Sequence, residues 1–247
     1  VTVLVGMLCD GGIVIGADSS MTFSSSGFRT IEQRSSKISV INEHIVLAAT
    51  GSVGLAQRFA NVVEVAYGNK KFTGNAVEVA KYISSEAIKD FHSTFIDIRN
   101  IGLGALLGFV VGGKPYLVEY EVNSFQPEFK NNNLWYVSMG SGQCIADPFL
   151  GLMRRVFCPD KPPDLPTGKF ITAWCLQHTI DVNPGGVNGP LEMATLVPGE
   201  KGKYQVKVVE DEELDEHKQF IEEAEQHLSE FTRVLNGTSE SPSPPNM

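Results

Sequence analysis

Thr2-Val3-Leu4-Val5-Gly6-Met7-Leu8-Cys9-Asp10-Gly11-Gly12-Ile13-Val14-Ile15-Gly16-Ala17-Asp18 is the stretch that decides the fold. Two apolar runs, Val3 to Leu8 and Ile13 to Ala17, flank an Asp-Gly-Gly turn, which is the pattern of two short strands joined in a hairpin. The returning strand ends at Asp18, so the hairpin brings a carboxylate back beside the hydroxyl of Thr2, and strand alternation decides which side chains share a face. A threonine that becomes residue one carries its own base: an α-amine has an intrinsic pKa of about 8. Such an amine takes the hydroxyl proton directly or through a water, as a neighbouring side-chain base would. By position alone Thr2 reads equally well as an ordinary β-branched strand residue.

Working outward, further strand signals cover residues 37–41 and 44–50, after which the apolar period changes. Val53, Ala56, Phe59, Ala60, Val63 and Ala66 share one helical face over 52–67, and a second helix is predicted from Asn75 to Phe95. Strands return at 104–111, 116–122 and 134–139. Helical pattern resumes at 143–157, a proline-rich loop at 158–166 breaks it, and a fourth helix covers 167–179. Two last strands, 191–197 and 204–209, flank Pro198-Gly199. This order of strands, helix pair, strands, helix pair, strands gives an α+β class.

Composition bounds the function. A chain of 247 residues with 42% hydrophobic content can bury a core as one large domain or two small ones. No run is long enough to span a bilayer and no basic leader opens the sequence, so the expectation is a cytosolic protein. Cys9, Cys144, Cys158 and Cys175 lie far apart, and the five histidines lack ligand spacing, which predicts buried reduced thiols and no metal site. Of the net charge of −9, the segment 210–235 holds −8, while residues 1–209 balance 18 acidic against 18 basic side chains. The body therefore has no basic excess of the kind that binds nucleic acid.

The segment DGGIVIGADSS, residues 10–20, resembles the opening of proteasome β-type subunits and their bacterial relatives among the N-terminal-nucleophile hydrolases. Aligned without a gap, the family's catalytic threonine falls on Thr2. Its lysine falls on Lys37, its oxyanion-loop glycine on Gly51, the serine of its Gly-Ser-Gly element on Ser141 within Gly140-Ser141-Gly142, and its late aspartate on Asp181. The matches come in the family's order. The resemblance implies a four-layer αββα sandwich, with 1–209 as the peptidase domain.

On this resemblance the implied centre has Thr2 as nucleophile, Asp18 keeping Lys37 charged, and a Lys37 ammonium favouring the partly ionised threonine oxygen. Arg34 is the side chain most easily confused with Lys37. Ser141 and Asp181 are expected to orient the terminal amine, and Gly51 to offer its N–H to an oxyanion, a contact worth about a hundredfold or more in rate. The family's specificity pocket maps onto Met21, Ser35, Ala49 and Val53, which suggests an apolar residue before the cut. One departure stands out: the family serine three residues after the late aspartate is Pro184 here, which has neither hydroxyl nor N–H to donate.

Beyond 209 the sequence predicts an acidic amphipathic helix over 210–235, with Leu214, Ile221, Leu228 and Leu235 recurring every seven, and a disordered Ser/Pro-rich tail at 236–247. Among proteasome-like proteins, this extension and the Pro184 loop look most like the proteobacterial proteasome homologue, and less like the bacterial ATP-dependent peptidase. The first reading is a threonine endopeptidase in homo-oligomeric stacked rings, acting on peptides or unfolded proteins, with room for an ATPase unfoldase and no cofactor. A non-catalytic ring scaffold, in which Val1 still acylates the Thr2 amine, and a small-amide hydrolase of the same chemistry are the alternatives.

Overall fold

The computed structural model describes residues 2–25, 28–97, 101–183 and 187–237. Val1, Pro184 and the tail beyond 237 lie outside the described residues. The chain divides into two units, 1–209 and 210–247.

The opening hairpin forms as the sequence dictates. Strands β1 (Leu4–Cys9) and β2 (Gly12–Asp18) pair antiparallel, with Leu4 opposite Ala17 and Cys9 opposite Gly12. With β10 (Tyr136–Met139), β11 (Leu191–Pro198) and β12 (Tyr204–Val208) they make one five-stranded sheet in the order β10-β1-β2-β11-β12. The other five-stranded sheet runs β5 (Ile38–Ile41), β6 (Ile45–Gly51), β7 (Leu103–Val111), β8 (Lys114–Tyr120), β9 (Pro127–Phe129). All pairings within the two sheets are antiparallel.

β7 shows how strand alternation builds two cores at once. Leu103, Ala105, Leu107, Phe109 and Val111 point into a cluster with Phe59, Val63, Ile83 and Phe91, which belong to α1 (Val53–Gly68) and α2 (Ala76–His92). Leu106 points the other way, into a cluster with Leu4, Ile13, Ile15, Ala17 and Leu196 of the first sheet. A strand buried on both faces needs apolar residues at every position, and β7 has only Gly, Ala, Leu, Val and Phe. The glycines face the first sheet: a Cβ at Gly108 would come within 2.7 Å of Val46 Cγ1.

Helices α3 (Gln143–Phe157) and α4 (Leu165–Val182) pack against the first sheet, α4 chiefly on β1 and β2. Gly16 permits the close approach, since a Cβ there would lie 2.7 Å from both Leu176 and Thr172. The helix starts two residues earlier than predicted because Asp164 caps it, accepting from Thr167 N at 2.9 Å.

A hairpin of β3 (Ser20–Ser25) and β4 (Phe28–Arg34) was not predicted from the sequence. Among the described residues its two strands pair only with each other, so neither large sheet imposes an apolar alternation on them. The edge strand β9 was missed for a simpler reason: it is three residues long and begins with proline.

The second unit contains α5 (Asp211–Leu235). Asp211, Glu212 and Glu213 sit in its first turn and Arg233 in its last, each sign matched to the helix dipole. The seven-residue repeat divides in the structure. Leu214 and Ile221 are buried, whereas Leu228 and Leu235 are exposed together with Phe220 and Phe231.

Candidate active site

Thr2 is buried where the hairpin and the loop after β10 meet. Its backbone N–H donates to Ser141 Oγ at 3.1 Å, and its carbonyl accepts from Gly142 N at 3.1 Å. The Gly-Ser-Gly element wraps this closely only because its flanks lack side chains. Gly140 has φ +96°, and a Cβ there would stand 2.3 Å from the Thr2 carbonyl oxygen; at Gly142 a Cβ would meet Val3 and Thr179.

Asp18, fully buried at the end of β2, ties the start of the chain to the lysine. Its Oδ1 accepts from Val3 N at 2.8 Å and from Lys37 Nζ at 2.7 Å, and its Oδ2 accepts from Ser20 N at 3.2 Å. The Lys37 side chain is 5% exposed and that of Asp18 0%. Lys37 does not lie on a strand as predicted. Pairing of β5 begins at Ile38, opposite Ala48, while Lys37 N donates to Glu192 Oε2 at 3.2 Å instead of to a ladder partner. Arg34 sits at the end of β4 and is exposed.

Gly51 closes β6 with φ +102°. The packing around it also requires glycine. A Cβ at Gly51 would lie 2.0 Å from the carbonyl oxygen of Gly102, which also accepts from Ser52 N at 3.0 Å. Gly51 and Thr2 line one cavity of about 410 Å³, together with Lys37 and all four specificity candidates, Met21, Ser35, Ala49 and Val53.

Asp181 is the candidate that does not join this network. It lies exposed in the last turn of α4, and its carboxylate accepts from Gln177 Nε2 at 2.8 Å. The loop that follows, with Pro184, lies outside the described residues.

Sequence reasoning missed two sets of residues. Gln57, Asn61 and Glu64 also line the cavity. They recur at i, i+4 and i+7, so the polar side of the α1 helical pattern carried that signal. Glu192, by contrast, reaches the Lys37 segment from 155 positions away and left no local trace.

The thiols behave as expected with one correction. Cys9, Cys158 and Cys175 are buried, but Cys144, in the first turn of α3, is exposed. Burial pushes the Cys9 thiol up to about 12, with Cys158 and Asp164 adding to the effect. Burial likewise pushes Cys175 up to about 12, with the Thr179 side chain acting in the opposite sense. Among the described residues no group of three or more His, Cys, Asp or Glu is arranged to hold a metal ion. No described helix is long and apolar enough to cross a membrane.

With the site in place, comparison with known proteins gives a consistent picture. The family model described as Proteasome subunit matches residues 2–152. The proteasome subunit beta of Methanobrevibacter smithii is 28% identical over 145 residues, 59% of this chain and 65% of that protein, so the match spans just under two thirds of the relative. The proteasome subunit beta of Methanocaldococcus fervens is 24% identical over 215 residues, 87% of each chain. Among solved structures, Anbu from Hyphomicrobium sp. strain MC1 resembles this chain in two forms. A Gly-1 mutant has a TM-score of 0.67 at 16% identity, covering 99% of this chain and 100% of that one. A second form has a TM-score of 0.67 at 14% identity, covering 92% and 97%. At such identities the likeness speaks for the fold alone, and it does not choose among the narrower groups to which the C-terminal extension was compared.

Proposed function

The chain belongs to the proteasome subunit family, and on that premise we propose that it is a threonine-type endopeptidase with Thr2 as its nucleophile. The observation that carries the reading is the buried Lys37–Asp18 pair, 2.7 Å apart, whose lysine lines the cavity that Thr2 and Gly51 share. Taking two charges out of water is costly, and a buried pair is weak evidence for stability. Its place beside a candidate nucleophile argues for chemistry.

In the proposed cycle, cleavage of the Val1–Thr2 bond frees the Thr2 amine. That amine takes the Oγ1 proton as Oγ1 attacks the substrate carbonyl, and the Lys37 ammonium, oriented by Asp18, stabilises the developing negative charge on Oγ1. The Gly51 N–H takes the charge that develops on the carbonyl oxygen. The amine then passes its proton to the leaving nitrogen, and water repeats the attack on the acyl-threonine ester. Ser141, already bonded to Thr2 N, orients the amine throughout.

The specificity region combines apolar Met21, Ala49 and Val53 with Ser35, and continues along α1 past Gln57, Asn61 and Glu64. An apolar residue before the cut fits the first group, and polar neighbours fit the second. The shared core of the two sheets, with a helix pair on each, supports the four-layer αββα reading.

Stacked rings of identical subunits are part of the proposal. Leu152, Val156 and Phe157 of α3 and Val182 of α4 are exposed apolar side chains on the outer helix pair, a surface suited to burial between subunits. Peptides or unfolded proteins are the proposed substrates, and an ATPase that feeds such rings is the proposed external partner.

Intact-mass measurement with a fluorogenic peptide assay tests the reading. A mass that corresponds to a chain beginning at Thr2, turnover by the processed protein and loss of turnover in Thr2→Ala are expected, and turnover that persists in Thr2→Ala would sink it. A second reading, the non-catalytic ring scaffold, draws on Asp181, whose carboxylate is engaged by Gln177. A retained Val1 with no turnover and intact rings would select it.

A further inference from the structure

We propose that Glu192 is a positioning residue for Lys37, which rests on the reading of Thr2, Asp18 and Lys37 as a peptidase centre. The Lys37 ammonium has to meet Asp18, yet its backbone belongs to the segment 35–37 between β4 and β5, which has no ladder pairing. Something else must fix it.

Two anchors are on hand. Ser35 N donates to the Ser19 carbonyl at 2.9 Å. Glu192 Oε2 accepts from the next two residues, from Ser36 Oγ at 2.8 Å and from Lys37 N at 3.2 Å. The single hydroxyl proton of Ser36 could also go to the Ile38 carbonyl at 3.0 Å. The carboxylate is the stronger acceptor, because charge-assisted hydrogen bonds are roughly twice as strong as neutral ones.

The position of Glu192 gives these bonds their purpose. On β11 it sits opposite Ala17, and Leu191 sits opposite Asp18. The Pro190 carbonyl accepts from Ser19 Oγ at 2.7 Å. One short stretch, 190–192, therefore holds the Asp18 end of β2 through its ladder, Ser19 through a carbonyl and the Lys37 segment through a carboxylate. Both members of the ion pair are referred to one rigid strand. A merely solvated edge glutamate would not converge on two consecutive residues of the lysine segment.

The test uses two readouts on the full chain. In amine acetylation with limiting acetic anhydride, followed by peptide mass spectrometry, wild-type Lys37 should react slowly against the exposed references Lys81 and Lys89, whose side chains are 60% and 68% exposed. Glu192→Ala should raise Lys37 labelling about fivefold or more. Glu192→Gln, which keeps an acceptor oxygen, should return it most of the way. In peptide hydrolysis, Glu192→Ala should lower kcat by about 10- to 100-fold, the scale of a displacement near 1 Å. KM should stay within about twofold and Glu192→Gln should recover most of the loss.

Unchanged Lys37 labelling in a Glu192→Ala protein with native circular dichroism overturns the proposal, as does raised labelling with undiminished kcat. If Glu192→Ala does not fold, Ser36→Ala removes one of the two bonds, and absence of any rise in Lys37 labelling there also overturns it. Because labelling needs no turnover, a protein that hydrolyses nothing would defeat the peptidase reading while the Glu192–Lys37 linkage is still decided.

Discussion

Replacing Lys37 by methionine keeps most of the stem and removes the ammonium, which isolates the electrostatic worth of the buried pair. Asp18 then remains fully buried with a charge whose described acceptor bonds are to Val3 N and Ser20 N. Leaving one partner of a buried pair costs about 3–5 kcal/mol, and the two backbone donors that persist place this case near the lower figure. The double variant Asp18→Asn/Lys37→Met carries no charge and keeps one good acceptor for those donors. It leaves one backbone donor facing the amide nitrogen, so a cost of about 1–2 kcal/mol is expected. The double variant should therefore be more stable than Lys37→Met alone by roughly 1–2 kcal/mol, a non-additivity that contacting residues show and distant ones do not. Urea unfolding at one fixed protein concentration, followed by circular dichroism and tryptophan fluorescence, measures all three midpoints, provided the slopes agree. A cost below about 1 kcal/mol for Lys37→Met, the range of solvent-exposed pairs, would refute the claim that this pair is desolvated. Arg34→Ala, exposed on β4, serves as the control and should retain both stability and turnover.

Gly140→Ala should cost about 3 kcal/mol or more, since a left-handed φ and a clash with the Thr2 carbonyl act together; thermal denaturation and peptide turnover should fall in parallel, and a Tm within about 2 °C of wild type would contradict the geometry. Iodoacetamide should label Cys144 in the native protein while Cys9 and Cys175 react only on unfolding, as peptide mapping would reveal. Those two thiols also predict a sign for alkaline stability. Held near 12 in the folded chain against 9.0 for the free group, they lose protons first in the unfolded state, so stability should fall as pH rises from 9 towards 12. A flat denaturation midpoint over that range would count against their burial. On α5, Leu228→Glu with Phe231→Glu should reduce assembly in sedimentation velocity if the exposed stripe is a subunit contact, and an unchanged profile would remove it from the assembly.

The fold was legible wherever one physical rule governed a whole element. β1 and β2 alternate about an Asp-Gly-Gly turn, and α1 and α2 repeat at the helical period because each buries one face against β6, β7 or β8. The helix ends moved by a few residues where a cap outside the apolar pattern decided them, as at Asp164. The β3–β4 hairpin was illegible because no buried face of a large sheet writes a pattern into it. On α5 the seven-residue repeat promised one continuous seam, yet Leu214 and Ile221 are buried while Leu228 and Leu235 are not. Spacing records that a face is apolar, and it does not record what covers each part of that face.

The candidate site divides along the same line. Thr2 and Asp18 could be paired from the hairpin alone, because local strand geometry sets their approach. Lys37, Ser141 and Gly51 entered only through ordered resemblance, since each reaches Thr2 or its cavity across a long stretch of chain. Glu192 had neither a local period nor a motif, and only the β2–β11 register reveals why a carboxylate there is useful. Asp181 shows the converse: a motif match fixes residue type and order, but its side chain turns to Gln177, four residues back on its own helix. An i, i+4 pair of this kind is worth only about 0.2–0.5 kcal/mol, so it is a weak competitor. A freed Thr2 amine, which becomes positively charged as it takes the Oγ1 proton, would offer Asp181 a charged partner in place of an amide. Processing at Val1 and the position of Asp181 are therefore coupled in the proposed enzyme. Asp181→Asn should depress turnover of the processed chain while leaving Lys37–Asp18 and the fold intact, and equal turnover in the two proteins would leave Ser141 as the group that orients the amine.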